Sequence, residues 1–172
     1  MKPAVPPGPA TVRAAGPDDV PHVARFIREL ARYERLEHQL DLDEGRLREH
    51  LFGARPACGA LLAEVAGEPV GFALHYQSYS TFRTRPCLHL EDLFVLPPYR
   101  GGGIGLALLS AVAALAQARG CPRLEWHVLD WNAPAIAFYG KQGARLLPDW
   151  RICRLEGDAL ARAAAAGAVP RA

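Results

Sequence analysis

The sequence predicts a mixed α/β (α+β) sandwich, a sheet with helices packed against it. Three observations predict it. Short apolar runs and helix-period apolar stripes are intermixed along the chain. Gly and Pro turn signals fall between them. Half of the 172 residues are apolar (50 %), enough to bury one sizeable core.

Taken in order, residues 1–10 are rich in Pro and Gly and are expected to form a loose arm. Thr11 to Ala14 is a short strand, and Gly16-Pro17 is a turn. Asp18 can cap a helix in which Val20, Val23, Ala24, Ile27, Leu30 and Ala31 recur at helical spacing to about Tyr33. A shorter helix spans Asp43 to Phe52. Strands follow at Leu61–Val65 and Val70–Tyr76, joined at Gly67-Glu68, and at Leu88–Val95, which Pro97 and Pro98 stop. The cluster RGGGIG opens a helix with an apolar stripe from Ile104 to Ala118, ended by Gly120. Leu124–Leu129 reads as a strand. Asn132 caps a helix with Pro134 in its first turn, running to about Lys141. Strand-like pieces at Ala144–Leu147 and Arg151–Leu155 complete a domain over residues 11–156. Residues 157–172 form an Ala-rich tail, helical or frayed.

Composition narrows the function. The formal net charge is +2 with both signs scattered, which gives no reason to expect nucleic acid or a membrane surface as partner. No apolar run approaches the roughly 18–20 residues of a membrane span. The N-terminus has no apolar signal core, so the expected compartment is the cytoplasm. Cys58, Cys87, Cys121 and Cys153 make no C-x-x-C pair and read as reduced and structural. The histidines show neither an i, i+4 pair nor H-E-x-x-H, so no metal is expected.

The glycine cluster carries the first chemical signal. Glycines between a strand and a helix let backbone N–H groups approach a phosphate at the positive end of the helix dipole. The Walker loop needs G-K-[ST], but Leu106-Ala107 follows here. The Rossmann fingerprint fails because its third glycine would fall on Leu106. What remains is R-x-x-G-x-G, from Arg100, Gly103 and Gly105. The plain alternative is a flexible strand-to-helix connection.

The second signal is Glu91-Asp92 inside an apolar strand. Successive strand side chains face opposite ways, so both acids cannot stay on the solvent side of a regular strand. Burying a carboxylate is costly unless it is paired or functional, and a bulge would re-aim the pair. An edge strand with both acids partly wet is the alternative. The third signal is Tyr139, near the end of the Asn132-capped helix, which on its own reads as a half-buried packing residue.

Together RELARYERLE, YSTF, LHLEDLFVLPPYRGGGIG and WNAPAIAFYGKQGA resemble the diamine and thialysine branch of the GNAT N-acetyltransferases, over roughly residues 10–155. The resemblance implies a splayed, mixed, mostly antiparallel sheet flanked by helices. It implies acetyl-CoA as co-substrate, a small-molecule amine as acceptor, and a homodimer. Pantetheine would lie between the Leu88–Val95 and Leu124–Leu129 strands. Tyr139 would be the general acid, and Glu91 would contact the amine or order water near it. Phe94, Val95 and Leu96 would give backbone contacts to the cofactor. Arg100, Gly101, Gly102, Gly103, Ile104 and Gly105 would hold the pyrophosphate, with further contacts from Asn132, Ala133, Pro134 and Ala135. Tyr33, Glu34, Asp92, Glu125, Trp126 and His127 match positions lining the amine pocket. Ser80 stands where polyamine enzymes carry an aspartate, which favours a shorter amine, and Gln142 replaces a basic residue that often helps bind the cofactor.

The residue types suit that reaction. An alkyl amine of pKa ~10.4 is almost wholly protonated at neutral pH, and freeing its lone pair costs roughly 4.6 kcal/mol. A carboxylate or an ordered water can take the proton. A backbone N–H near Phe94 or Val95 could bind a developing oxyanion, and no covalent intermediate is needed. Cys87 has no evident His partner and reads as packing. The competing readings are acetylation of a protein lysine or N-terminus, and a non-catalytic CoA sensor.

Overall fold

A computed structural model describes residues 10–167 and divides the chain into two compact units, Met1–His127 and Val128–Ala172. Residues 1–9 of the expected arm and the last five of the tail lie outside the described residues.

The first unit is a five-stranded sheet in the order β1 (Thr11–Ala14), β2 (Gly59–Val65), β3 (Glu68–Ser80), β4 (Arg85–Val95), β5 (Leu124–Glu125). β1 to β4 pair antiparallel, and β5 runs parallel to β4. The sheet is therefore mixed and mostly antiparallel, as expected. β5 is far shorter than the strand expected at Leu124–Leu129: its ladder holds only Leu88 to Leu124 and His89 to Glu125. Among the described residues of this unit the outer edge of β4 from Leu90 onward has no strand partner.

Helices α1 (Val20–Glu34) and α2 (Glu44–Phe52) cover one face. Val23, Phe26 and Leu51 pack there against Ala60, Leu62, Phe72, Leu74 and Phe94. The Phe26 and Phe72 rings stack at 5.5 Å. Burying side chains of this size stabilises by about 1.5–3 kcal/mol each. Strand alternation turns Gly71, Ala73 and Val95 to the opposite face. The long helix α3 (Ile104–Ala118) packs on β2, β3 and β4 and buries Ile104, Leu108, Leu109, Val112 and Ala116. Small residues beneath it keep this layer close.

The second unit holds α4 (Ala133–Lys141) and α5 (Gly157–Ala165). The strands expected at Ala144–Leu147 and Arg151–Leu155 are not formed. Their apolar residues stay open: Leu146, Leu147, Ile152 and Leu155 are each more than half exposed, as is Trp150 between them. An apolar run becomes a strand only when a ladder partner takes its N–H and C=O groups, and the second unit supplies none. The tail, left open between helix and frayed chain, forms α5 as far as Ala165.

Candidate active site

The acidic pair sits at a register break. On β4 Asp92 pairs with Leu74 and Leu90 with His75, so Glu91 is an extra residue with no partner. This is the bulge that two adjacent carboxylates call for. The extra residue changes the parity of the strand. Leu74 and His75 face opposite ways, and so do Asp92 and Leu90. Asp92 therefore shares a face with Phe94 and with the helices α1 and α2, while the Glu91 side chain stays about half exposed (53 %).

Asp92 is partly buried there. Burial first, then the charges of Glu91 and Glu34, push its carboxyl up to about 7. Glu34, at the last position of α1, is itself held above the ordinary carboxylate range by burial. Three acids from two elements thus converge. Tyr33 lies beside them on α1. Its ring is 4.7 Å from the Arg100 guanidinium, which also lies 5.2 Å from the Phe94 ring. Arg100 Nε donates to the Val95 carbonyl at 2.8 Å. This role is additional to the pyrophosphate contact implied by the motif: Arg100 ties the ends of α1 and β4 to the glycine loop. The pairing shows only in space, because Tyr33 and Arg100 are far apart in sequence.

The loop itself is built for close approach. Gly101 and Gly103 both hold φ near +84° (84° and 83°), where a side chain is strained, and a Cβ at either would meet nothing within 4 Å. Gly103 is the N-cap of α3 and no side chain caps that end. The first amides of α3, at Ile104, Gly105 and Leu106, are thus left for an anion. Gly102 is exposed between the two turning glycines. A diphosphate fits these residues.

Phe94 and Val95 are buried and Leu96 partly so. The Leu96 N–H donates to the Val70 carbonyl at 2.9 Å, so that amide is already committed. Ser80 is buried, and its hydroxyl accepts the Arg83 N–H at 3.3 Å, closing the β3–β4 turn. Glu125 pairs with Arg123 at 2.9 Å, Trp126 is partly buried, and His127 is exposed with its ring 4.9 Å from that of His89. His89 was not singled out by sequence reasoning. Its signal was a polar residue two positions before Glu91 in an apolar strand.

In the second unit Asn132 is buried, and its Oδ1 accepts the Ala135 N–H at 3.3 Å, capping α4 as expected. Pro134 sits in the first turn, with Ala133 exposed and Ala135 partly buried. Tyr139 is partly buried near the end of α4, its ring 5.1 Å from that of Phe138. The amides of Gln142 and Ala144 fold back to its carbonyl. Gln142 donates from Nε2 to the Phe138 carbonyl at 3.5 Å, within its own helix end.

A model of the acetyltransferase (GNAT) family matches residues 24–144. Thialysine N-epsilon-acetyltransferase of Bos taurus is 41 % identical over 160 residues, 87 % of this chain and 94 % of that one. L-ornithine N5-acetyltransferase of Arabidopsis thaliana is 33 % identical over 194 residues, with 87 % and 85 % covered. Among solved structures, an integron cassette protein from the mobile metagenome of V. cholerae superposes with a TM-score of 0.75 at 26 % identity, covering 90 % of this chain and 97 % of that one. An aminoglycoside acetyltransferase from a soil metagenome shares the fold, with a TM-score of 0.72 at 17 % identity over 86 % and 97 % of the two chains. With its family motif, bulged acidic strand and glycine-led helix, the chain belongs to the GNAT acetyltransferase family and is an acetyl-CoA-dependent amine N-acetyltransferase.

Proposed function

We propose that this enzyme acetylates the terminal primary amine of a small, amino-acid-like molecule, of the thialysine or ornithine kind, with both substrates bound at once. The observation that carries the reading is the convergence of Glu34, Glu91 and Asp92 at the β4 bulge. Their field recruits an alkylammonium ion, and the exposed carboxylate of Glu91 can take its proton. The names of the relatives support the substrate class. Ser80, buried in a turn, leaves no acid at the position that serves a long polycation, which favours a shorter amine over spermidine.

Bound at the glycine loop, acetyl-CoA supplies an activated thioester carbonyl. This chain does the rest. Gly101 to Gly105 and the open end of α3 anchor the diphosphate. The unpaired edge of β4 offers backbone groups along Phe94 and Val95. Asn132 to Ala135 add contacts from the head of α4. Glu91 deprotonates the amine, and Tyr139 holds a phenolic proton for the departing thiolate. Holding both substrates together supplies much of the remaining acceleration. We place the enzyme in the cytoplasm, in keeping with its four free cysteines, and as a homodimer. The exposed apolar side chains from Leu146 to Leu155 support an association surface.

The deciding experiment follows free thiol release from acetyl-CoA across a panel of amines and peptides. Release with thialysine or ornithine supports the proposal. Release with peptides alone moves the activity to protein lysines. Cofactor binding without turnover would make the chain a sensor.

A further inference from the structure

Beside the acids, on the same face of β4, lies a buried base that acetyl transfer as described does not use. The bulge brings His89 and Asp92 to one face although they are three residues apart. His89 is only 7 % exposed. It packs against the ring of Tyr76 at 4.9 Å and that of His127 at 4.9 Å. Its Nε2 stands 3.8 Å from Oε2 of Glu91. The titratable groups facing it are Tyr76 on β3, Glu91 on its own strand, Glu125 across the parallel ladder, and His127 just beyond β5. Of these, Glu125 is held by Arg123 at 2.9 Å. Burial and His127 push the imidazole's pKa down, and Glu91 and Glu125 oppose them. The ring rests neutral, with one nitrogen free to accept a proton.

Acetylation of an alkylammonium ion yields an amide, a thiol and one proton, which must reach solvent in every turnover. A carboxylate that has taken that proton is inert until it loses it. The neighbour of Glu91 along the strand, Asp92, is another acid. His89 is a base on its other side, and His127 connects that base to solvent.

We propose that His89 is a positioning residue for Glu91, which with His127 forms the exit route for the substrate proton. The ammonium N–H bond breaks and an O–H bond forms on Glu91. The half-exposed Glu91 carboxyl then turns across the 3.8 Å gap to His89 Nε2, and its O–H breaks as an N–H forms on the ring, giving an imidazolium. The imidazolium loses a ring proton to the exposed His127 and from there to water, and all groups return to their starting charges. The proposal rests on the reading of the site as an amine acetyltransferase.

The test is the pH dependence of kcat and kcat/KM, with an amine the wild type accepts, for His89→Gln, His127→Gln, Glu91→Gln and the His89→Gln/Glu91→Gln pair. His89→Gln is expected to lower kcat about tenfold, less than the ~10²–10⁴ of a direct base, and to leave KM for acetyl-CoA unchanged. It should also move the acidic limb of the profile, and added imidazole should recover part of the loss. Because the two groups act in series, His89→Gln should cost nothing further in the Glu91→Gln background. His127→Gln, at an exposed position, should give a smaller loss of the same kind if His89→Gln fails to fold. Wild-type profiles in both histidine variants, or an equal loss from His89→Gln with and without Glu91, would overturn the exit route alone. A wild-type chain that acetylates no amine would overturn the acetyltransferase reading, and the exit route with it.

Discussion

Asp92 is the residue whose chemistry its place alters most. Its carboxyl titrates near 3.8 when free and is pushed up to about 7 in the fold. Below pH 3.8 both folded and unfolded chains hold the proton. Between 3.8 and about 7 only the folded chain does, so stability falls as pH rises through this window and levels off above it. Asp92→Asn removes the titration. Its stability relative to wild type should rise with pH across the same window, by up to about 1.4 kcal/mol per pH unit, measured by urea unfolding. A constant difference between pH 4 and 7 would show that the carboxyl is not perturbed. Glu91→Gln is expected to cost rate or amine affinity, with the deficit largest below about pH 8, where the amine is most fully protonated. A deficit independent of pH would remove the base role. Tyr139→Phe should keep acetyl-CoA affinity and lower turnover at least about tenfold. An unchanged rate would remove the acid role. The types of these residues were legible in the sequence because carboxylates inside an apolar strand need a reason. The partner of Glu91 was not, since its approach to His89 depends on the local geometry of the bulge.

Among the elements, those with their own periodicity were legible and those that need a partner were not. The stripe of α1, the Asn132 cap of α4 and the glycine start of α3 are local signals, and each element lies within a few residues of its expected place. The apolar pieces 144–147 and 151–155 carry strand composition, but a strand needs a ladder that sequence does not supply. The end of α1 hid a further detail. Arg35 stops the helix in the left-handed region at φ 60°, and its N–H and that of Leu36 turn back to the carbonyls of Arg32 and Ala31. Glycine usually takes this position. Arg35→Gly should therefore leave Tyr33 and Glu34 in place and stabilise the protein by about 0.5–1 kcal/mol, read as a higher urea midpoint. A lower midpoint would mean that the Arg35 side chain contributes more than its backbone costs.

At the scale of the whole molecule, His75 and Asp92 set opposing pH responses. Burial and the charge of Arg119 lower the pKa of His75 from 6.5 to about 4, and its Nδ1 has no hydrogen-bond partner among the described residues. In the window from about 4 to 6.5 the unfolded chain binds a proton there that the folded chain refuses, so His75 makes stability rise with pH. Asp92 makes it fall over nearly the same range. The two contributions oppose each other between about pH 4 and 6.5, so the wild type should show a shallower slope there than either group alone would give. The Asp92→Asn variant should uncover the upward slope, and equal slopes in the two proteins would contradict the balance. Below this range Asp19, held down to about 2 by Arg13, adds stability that is lost as pH falls from 3.8 through that value. The proposed homodimer belongs to this scale too. Sedimentation should give twice the mass of the chain, and a monomer at micromolar concentration would remove it.

The unpaired position in β4 has a consequence for how such an enzyme can diversify. Because Leu90 stays opposite His75 and Asp92 opposite Leu74, a chain lacking residue 91 would keep the register of its ladder on both sides of that point. The architecture therefore places no demand on what stands there. The proton chemistry at that point can therefore be retuned without a change of register, while the barrier between the two helical layers stays intact.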